Sequence, residues 1–186
     1  MLPYTPLHYL LFYHPDSKLK ALVMTSGNLS EEPIVRDNEE AFKKLSGIVD
    51  AFLTHNRDIF MRVDDSVIRI RNSECGMRNN KNDELRTQNS ELSFIRRSRG
   101  YAPEAIQLRD DGPEVLGCGA DLKNTFTLTK GPYAIPSQHI GDMENYETLK
   151  FFEECLENLT AVYRVIPVAI AHDLHPGYMT TRWAKE

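Results

Sequence analysis

Cysteine is scarce in this chain of 186 residues: Cys75, Cys118 and Cys155 lie far apart and form no CxxC pair. That scarcity excludes a disulfide framework and a zinc knuckle, and it fits a reducing compartment. Nor does any apolar run approach the roughly 20 residues that cross a bilayer. The opening "MLPYTPLHYLLFYHP" has no basic n-region and no small-residue cleavage site, so it does not read as a signal peptide. The expected setting is cytoplasmic, away from membranes. A cationic excess is missing as well: the formal net charge is −5. That argues against a broad basic face for double-stranded nucleic acid and leaves small anionic ligands open.

What is present is ordinary globular material. A hydrophobic fraction of 41% suits one domain or two small ones. "PLHYLLFY" reads as a short buried helix, started by Pro6 and stopped by Pro15. "KALVMTS" reads as a strand. "DNEEAFKKLSGIVDAFL" reads as a second helix, with Asp37 at its N-cap and Glu40 three residues on. "DIFMRVDDSVIRIR" divides into two strand pieces around Val-Asp-Asp-Ser. The polar stretch "NSECGMRNNKNDELRTQNSEL" buries too little apolar area to offset its ordering and is expected to be a mobile loop. "SFIRRSRGYAP" resumes order, and "QLRDDGPE" has the turn residues of a linker.

From Val115 the pattern changes. "VLGCGADLKNTFTLTKGPYAIPSQ" predicts two or three short antiparallel strands with turns at Ala120-Asp121 and Lys130-Gly131. A helix is expected from about Glu144, with Leu149, Phe152, Leu156, Leu159 and Tyr163 along one face. "PVAIAHDLHP" closes as a buried strand. The chain is therefore read as α/β, in two pieces joined near residue 110, without internal repeats.

Two stretches carry chemistry. In "VMTSGNLS" an apolar strand end runs into Thr25, Ser26, Gly27 and Asn28. Gly27 has no Cβ, so hydroxyls, an amide and backbone N–H groups can converge on a phosphate or ribose; equally, Asn28 and Ser30 can simply cap the loop. In "RVDDSV" and "IRRSRGYAP", Ser66 is followed by Arg96, Arg97 and Arg99. Guanidinium forks match phosphate oxygens, and strand alternation puts Arg97 and Arg99 on one face with Arg96 opposite. The competing reading is a solvated edge strand guarded by arginines.

Taken in order, "LPYTPLH", "VMTSGNLSEEPI", "DNEEA", "RVDDSVIR", "RRSRGYAP", "LGCGADLKNTF", "SQHIGDMENYET" and "HDLHPGYMTTRWA" resemble the hydrogenase-maturation carbamoyltransferase family, HypF. The resemblance implies a partial YrdC-like twisted-sheet domain over residues 1–108, with a polar insertion at 72–92. The start of a carbamoyl-transfer domain akin to the sugar-kinase and actin ATPases then follows over 109–186. It also implies an activity: ATP with Mg2+ adenylates carbamate derived from carbamoyl phosphate, and the carbamoyl group passes to the C-terminal cysteine of a HypE-like acceptor.

Carried onto this sequence, Ser26 and Asn28, beside Thr25, match the Ser-x-Asn element of the nucleotide site. Ser66 resembles the serine of a later strand, and Arg97 or Arg99 the arginine before the domain's terminal glycine. Lys123, Asn124 and Thr125 of "GADLKNTF" are expected to face a nucleotide phosphate. His139 and Asp142 of "SQHIGD" are candidate catalytic groups; His139 without the resemblance reads as a hydrogen-bonded structural histidine. Asp173 is expected to be an active-site wall residue. His172, Asp173 and His175 are too few and too close for a closed metal site, and the family's zinc or iron ligands are expected outside this chain.

The resemblance begins mid-domain. The lysine and arginine that complete the adenylating site are expected before residue 1, and the metal-binding histidines after residue 186. An internal segment of this kind is expected to expose a sheet edge and to self-associate. Two other readings stand beside it. One is a threonylcarbamoyl-adenylate synthase of tRNA modification, which "ADLKNTF" and "SQHIGD" do not fit. The other is a non-catalytic nucleotide-binding or interaction module.

Overall fold

The computed structural model describes residues 5–71 and 91–186. The loop expected over 72–92 falls outside these residues apart from its last two positions, which open a strand, and Cys75 lies outside them too.

The first half is lightly built. Helix α1, Pro6–Tyr13, starts where Thr5 accepts a hydrogen bond from the His8 N–H at 3.3 Å, with proline in its first turn. It ends at His14, whose extended backbone suits the residue before Pro15. No residue of α1 is buried, which corrects the expected buried helix: its apolar residues are at most half-buried. Helix α2, Asn38–Leu45, places Glu39 and Glu40 in its first turn and Lys43 and Lys44 in its last, favourable with the helix dipole at both ends. Asp37 stands at the N-cap without a side-chain bond. The helix is shorter than the seventeen-residue pattern predicts, because Gly47 interrupts it just after Ser46.

Strands β1, Val67–Arg71, and β2, Glu91–Arg96, pair antiparallel with Val67 opposite Arg96. Two expected strands are absent among the described residues. "KALVMTS" and "DIFM" have no ladder partner there, and a strand without a neighbour has unpaired backbone groups that water serves equally well. Val23 is accordingly 96% exposed.

The second half carries the core. Strands β3, Ile106–Gly112, β4, Val115–Cys118, β5, Phe126–Pro136, and β6, Ala169–Ala171, form one sheet in the order β3-β5-β4-β6. β4 is antiparallel to β5 and parallel to β6. The expected linker "QLRDDG" is therefore an edge strand, held by pairing with β5 although every residue is exposed. The expected turn at Lys130-Gly131 is also a strand. Gly131, at φ +53, lies opposite Gly112 where the register shifts, and it absorbs the irregularity without ending β5.

Helix α3, Tyr146–Tyr163, is capped by Asn145, which accepts from the Thr148 N–H at 2.8 Å. At its other end Lys130 donates to the carbonyls of Tyr163 and Arg164 at 2.7 and 2.8 Å, so a cation meets the negative end of the dipole. Its apolar face buries Phe151, Phe152, Cys155 and Leu159 against Leu116, Phe126, Leu128 and Ile135. Phe152 stacks edge-on with both Phe126 and Trp183. Trp183 belongs to α4, Met179–Trp183.

Among the described residues, every buried hydrophobic side chain lies between Leu116 and Val165. β6, expected to be buried, is exposed at all three residues because it is the outer strand of the sheet. The two edges differ: β3 presents Arg109, Asp110 and Asp111, whereas β6 is Ala-Ile-Ala.

Candidate functional site

The two halves meet at a cleft of ≈ 370 Å³, within the range of small-ligand sites. Ser26, Asn28, Arg62, Asp64 and Arg96 line it from the first half, and Lys123, His139 and Asp142 from the second.

Each group has a local reason to be there. The Asn28 amide donates to the carbonyls of Leu29 and Glu32 at 2.8 and 2.9 Å, which closes the loop after "TSG" and leaves the amide oxygen as its remaining polar function. Arg96 is the last residue of β2. Lys123 sits at φ +50, and its backbone N–H donates to Asp142 Oδ1 at 2.6 Å. That bond ties the β4–β5 turn to the segment before α3. The His139 N–H donates to the Arg97 carbonyl at 3.1 Å, joining the halves directly.

Burial pushes the His139 imidazole below the ordinary histidine range, and the Arg96 guanidinium acts in the same direction against the weaker pull of Asp64 and Asp142. The ring is therefore neutral near pH 7 and able to accept a proton. Burial also pushes the Cys155 thiol up to about 12 and Cys118 to about 11; neither provides a thiolate near neutrality.

Of the expected site residues, Ser26, Asn28, Lys123, His139 and Asp142 come together at the cleft. The others do not line it, for physical reasons. Thr25 is exposed on the loop. Ser66 uses its hydroxyl as a staple, donating to the Arg99 carbonyl and accepting from the Ser98 N–H, both at 2.9 Å. Arg97 turns to the Glu104 carbonyl at 2.7 Å, and Arg99 to the Val63 carbonyl at 3.0 Å and the Asp65 carboxylate at 3.4 Å. Asn124 is buried, its amide donating to the Ala120 carbonyl at 2.8 Å. The Thr125 carbonyl accepts from the Gly119 N–H at 2.9 Å. Asp173 accepts from the His175 N–H at 2.8 Å and shapes the turn before α4.

Two cleft arginines escaped the sequence reading. Arg96 was assigned the opposite face by strand alternation, yet β2 ends at that residue and alternation has no force beyond it. Arg62 opens the stretch "RVDDSVIR", whose hydroxyl, Ser66, carries the motif's resemblance. Among the described residues no cluster of histidine, cysteine and carboxylate has the makings of a metal site, and no helix is long and apolar enough to cross a membrane.

A mixed-charge cleft lies between a hairpin-bearing first half and a cored second half, an α/β arrangement in two parts, and comparison with known proteins bears on both. Residues 1–79 match the Sua5/YciO/YrdC family model, described as "Telomere recombination", and residues 110–186 match the "HypF Kae1-like domain". Over its whole length the chain is 42% identical to carbamoyltransferase HypF2 of Cupriavidus necator and 39% identical to carbamoyltransferase HypF of Rhizobium leguminosarum bv. viciae, covering 23% of each. A crystal structure of full-length HypF in the phosphate- and nucleotide-bound form superposes on all of the chain with a TM-score of 0.82 at 44% identity, over 26% of that protein. T. kodakarensis HypF matches 87% of the chain with a TM-score of 0.71 at 36% identity, over 19% of that protein. The chain belongs to the HypF family of carbamoyltransferases. It spans less than a quarter of the length of the curated relatives it matches.

Proposed function

We propose that this chain forms the junction of an ATP-dependent carbamoyltransferase of hydrogenase maturation, with residues 1–108 as the adenylating part and 109–186 as the opening of the transfer part. The observation that carries the reading is the shared cleft, where Ser26, Asn28 and Arg96 face Lys123, His139 and Asp142. In the first step a carbamate oxygen attacks the α-phosphorus of ATP and pyrophosphate leaves, giving a carbamoyl adenylate. In the second a cysteine thiol of a HypE-like acceptor attacks the carbamoyl carbon and AMP leaves. Donors already fixed by the fold stabilise the charge that builds on the phosphoryl oxygens. The neutral His139 is the group able to take the thiol proton. Cys118 and Cys155 hold their protons near neutrality, which accords with a thiol supplied by the acceptor.

Mg2+ would ride on the nucleotide's own phosphate oxygens and water, with a single cleft carboxylate such as Glu31 or Asp64 as a further hard oxygen donor. Free thiols at Cys118 and Cys155 accord with a cytoplasmic setting.

Calorimetric titration of the folded chain with Mg-ATP tests the reading. Saturable binding, weakened about tenfold in Ser26→Ala or Arg96→Gln, is the expected result. A folded chain that binds nothing at millimolar ATP would defeat it and favour a non-catalytic interaction module.

A further inference from the structure

Arg62 is the most constrained cation of the cleft. Its side chain is only 11% exposed although it lines the cavity. Its backbone is pinned, because Gln138 donates to the Arg62 carbonyl at 2.6 Å. Its guanidinium carbon lies over the Phe151 ring, 5.2 Å from the ring centroid.

A charge so deeply placed needs close acceptors, and Arg62 is poorly supplied. Its NH2 donates to Glu154 Oε2 at 3.3 Å, longer than the 2.7–2.9 Å usual for a charge-assisted pair. Glu154 is also shared, lying 3.7 Å from Arg36. Arg62 Nε is buried and has no hydrogen-bond partner. Glu40 is the other carboxylate that feels this guanidinium, and it already bonds Lys44 at 3.0 Å. Of five N–H donors, Arg62 thus makes, among the described residues, one long bond, to a carboxylate shared with Arg36.

We propose that Arg62 is the phosphate-binding guanidinium at the seam of the cleft and that Glu154 of α3 is its displaceable counter-ion. A tetrahedral phosphate presents two oxygens at the spacing of the guanidinium fork, and it satisfies donors that Glu154 leaves unmet. Binding moves Arg62's charge from a residue of the second half onto the ligand. Occupancy of the cleft therefore loosens one of the contacts that join the halves. The proposal rests on the nucleotide reading of the cleft and adds to it which side chain takes the phosphate.

The test is titration of the full chain with Mg-ATP and with inorganic pyrophosphate, comparing wild type with Arg62→Gln, Arg62→Lys, Glu154→Gln and Arg96→Gln. Arg62→Gln is expected to weaken both ligands at least about tenfold, and Arg62→Lys by less, since lysine keeps the charge and loses the fork. Glu154→Gln is expected to tighten both severalfold, because the competing carboxylate charge is gone. A merely structural Arg62 would give the opposite for Glu154→Gln, unchanged or weaker binding with a lower melting temperature, and that result overturns the proposal even where Arg62→Gln fails to fold. If Arg96→Gln weakens binding while Arg62→Gln and Glu154→Gln leave it at the wild-type value, the cleft reading stands and the Arg62 proposal falls. Absence of binding by folded wild type removes both.

Discussion

Gln138 Nε2 donates to the Arg62 carbonyl across 2.6 Å and lies 3.5 Å from Cys155 Sγ, so one buried amide fastens the segment entering β1 to the end of β5 and the face of α3. Other bonds between the halves are also polar, including Asn145 Nδ2 to the Glu31 carbonyl at 2.7 Å. Replacing Gln138 with leucine removes the bond to a half-buried carbonyl and leaves it to water, at a cost of about 0.5–1.5 kcal/mol. Urea unfolding should show this loss together with weaker nucleotide binding, because the cleft wall moves with Arg62.

The core offers a sharper case. Phe152 is fully buried between Phe126, 5.3 Å away, and Trp183, 5.0 Å away. Phe152→Ala is expected to cost roughly 3–5 kcal/mol, a large share of a small domain's stability. Loss of cooperative thermal unfolding by circular dichroism would register it.

Gly119 has no room for a side chain, since a Cβ there would run into the Thr125 carbonyl oxygen. Both that carbonyl and its partner, the Gly119 N–H, belong to the β4–β5 connection that carries Lys123. Gly119→Ala should destabilise by about 1–3 kcal/mol and lower cleft affinity as Lys123 shifts. The readouts are a urea midpoint and a Mg-ATP titration.

Arg164 caps α3 at φ +50, a conformation that costs an L-residue about 1 kcal/mol and glycine little. Its capping bonds come from the backbone, through its own N–H and its carbonyl to Lys130. Arg164→Gly should therefore raise stability by roughly 0.5–1 kcal/mol, read as a higher melting temperature.

His139 makes stability depend on pH with a definite sign. Its folded value is held below the ordinary 6.5, first by burial and then by Arg96 and Lys123, against Asp64 and Asp142. Between those two values the unfolded chain binds the proton more readily, so stability is complete above about pH 6.5 and falls as pH drops below it. Urea midpoints from pH 8 to 5 should decline in wild type, and less steeply in His139→Gln. Glu40, held low because the Lys44 bond and charge outweigh its burial, adds a separate loss below about pH 4.5.

Legibility in the sequence followed the source of each element's stability. α3 was readable because its five apolar positions at helical spacing meet a real core, and the Asn145 cap lies where the pattern begins. "KALVMTS" was misread because strand propensity says nothing about whether a partner strand is there to pair. "QLRDDG" was misread in the other direction: its turn residues sit on a strand whose only support is β5. At the cleft, short motifs located Ser26, Asn28, Lys123, His139 and Asp142. They did not single out Arg62 and Arg96, whose place on the cleft wall comes from where a strand stops and from what the neighbouring half presents, neither of which a local pattern encodes.

The two borders of the four-stranded sheet are chemically unequal, and that inequality sets a direction for self-association. An incoming strand beside β3 meets Asp110 and Asp111, whereas one beside β6 meets Ala169, Ile170 and Ala171 and no charge. Two copies that joined through β6 would use up the uncharged border of this sheet in each. Such a contact would close as a symmetric pair, leaving in this sheet only the charged β3 border, a poor start for a fibre.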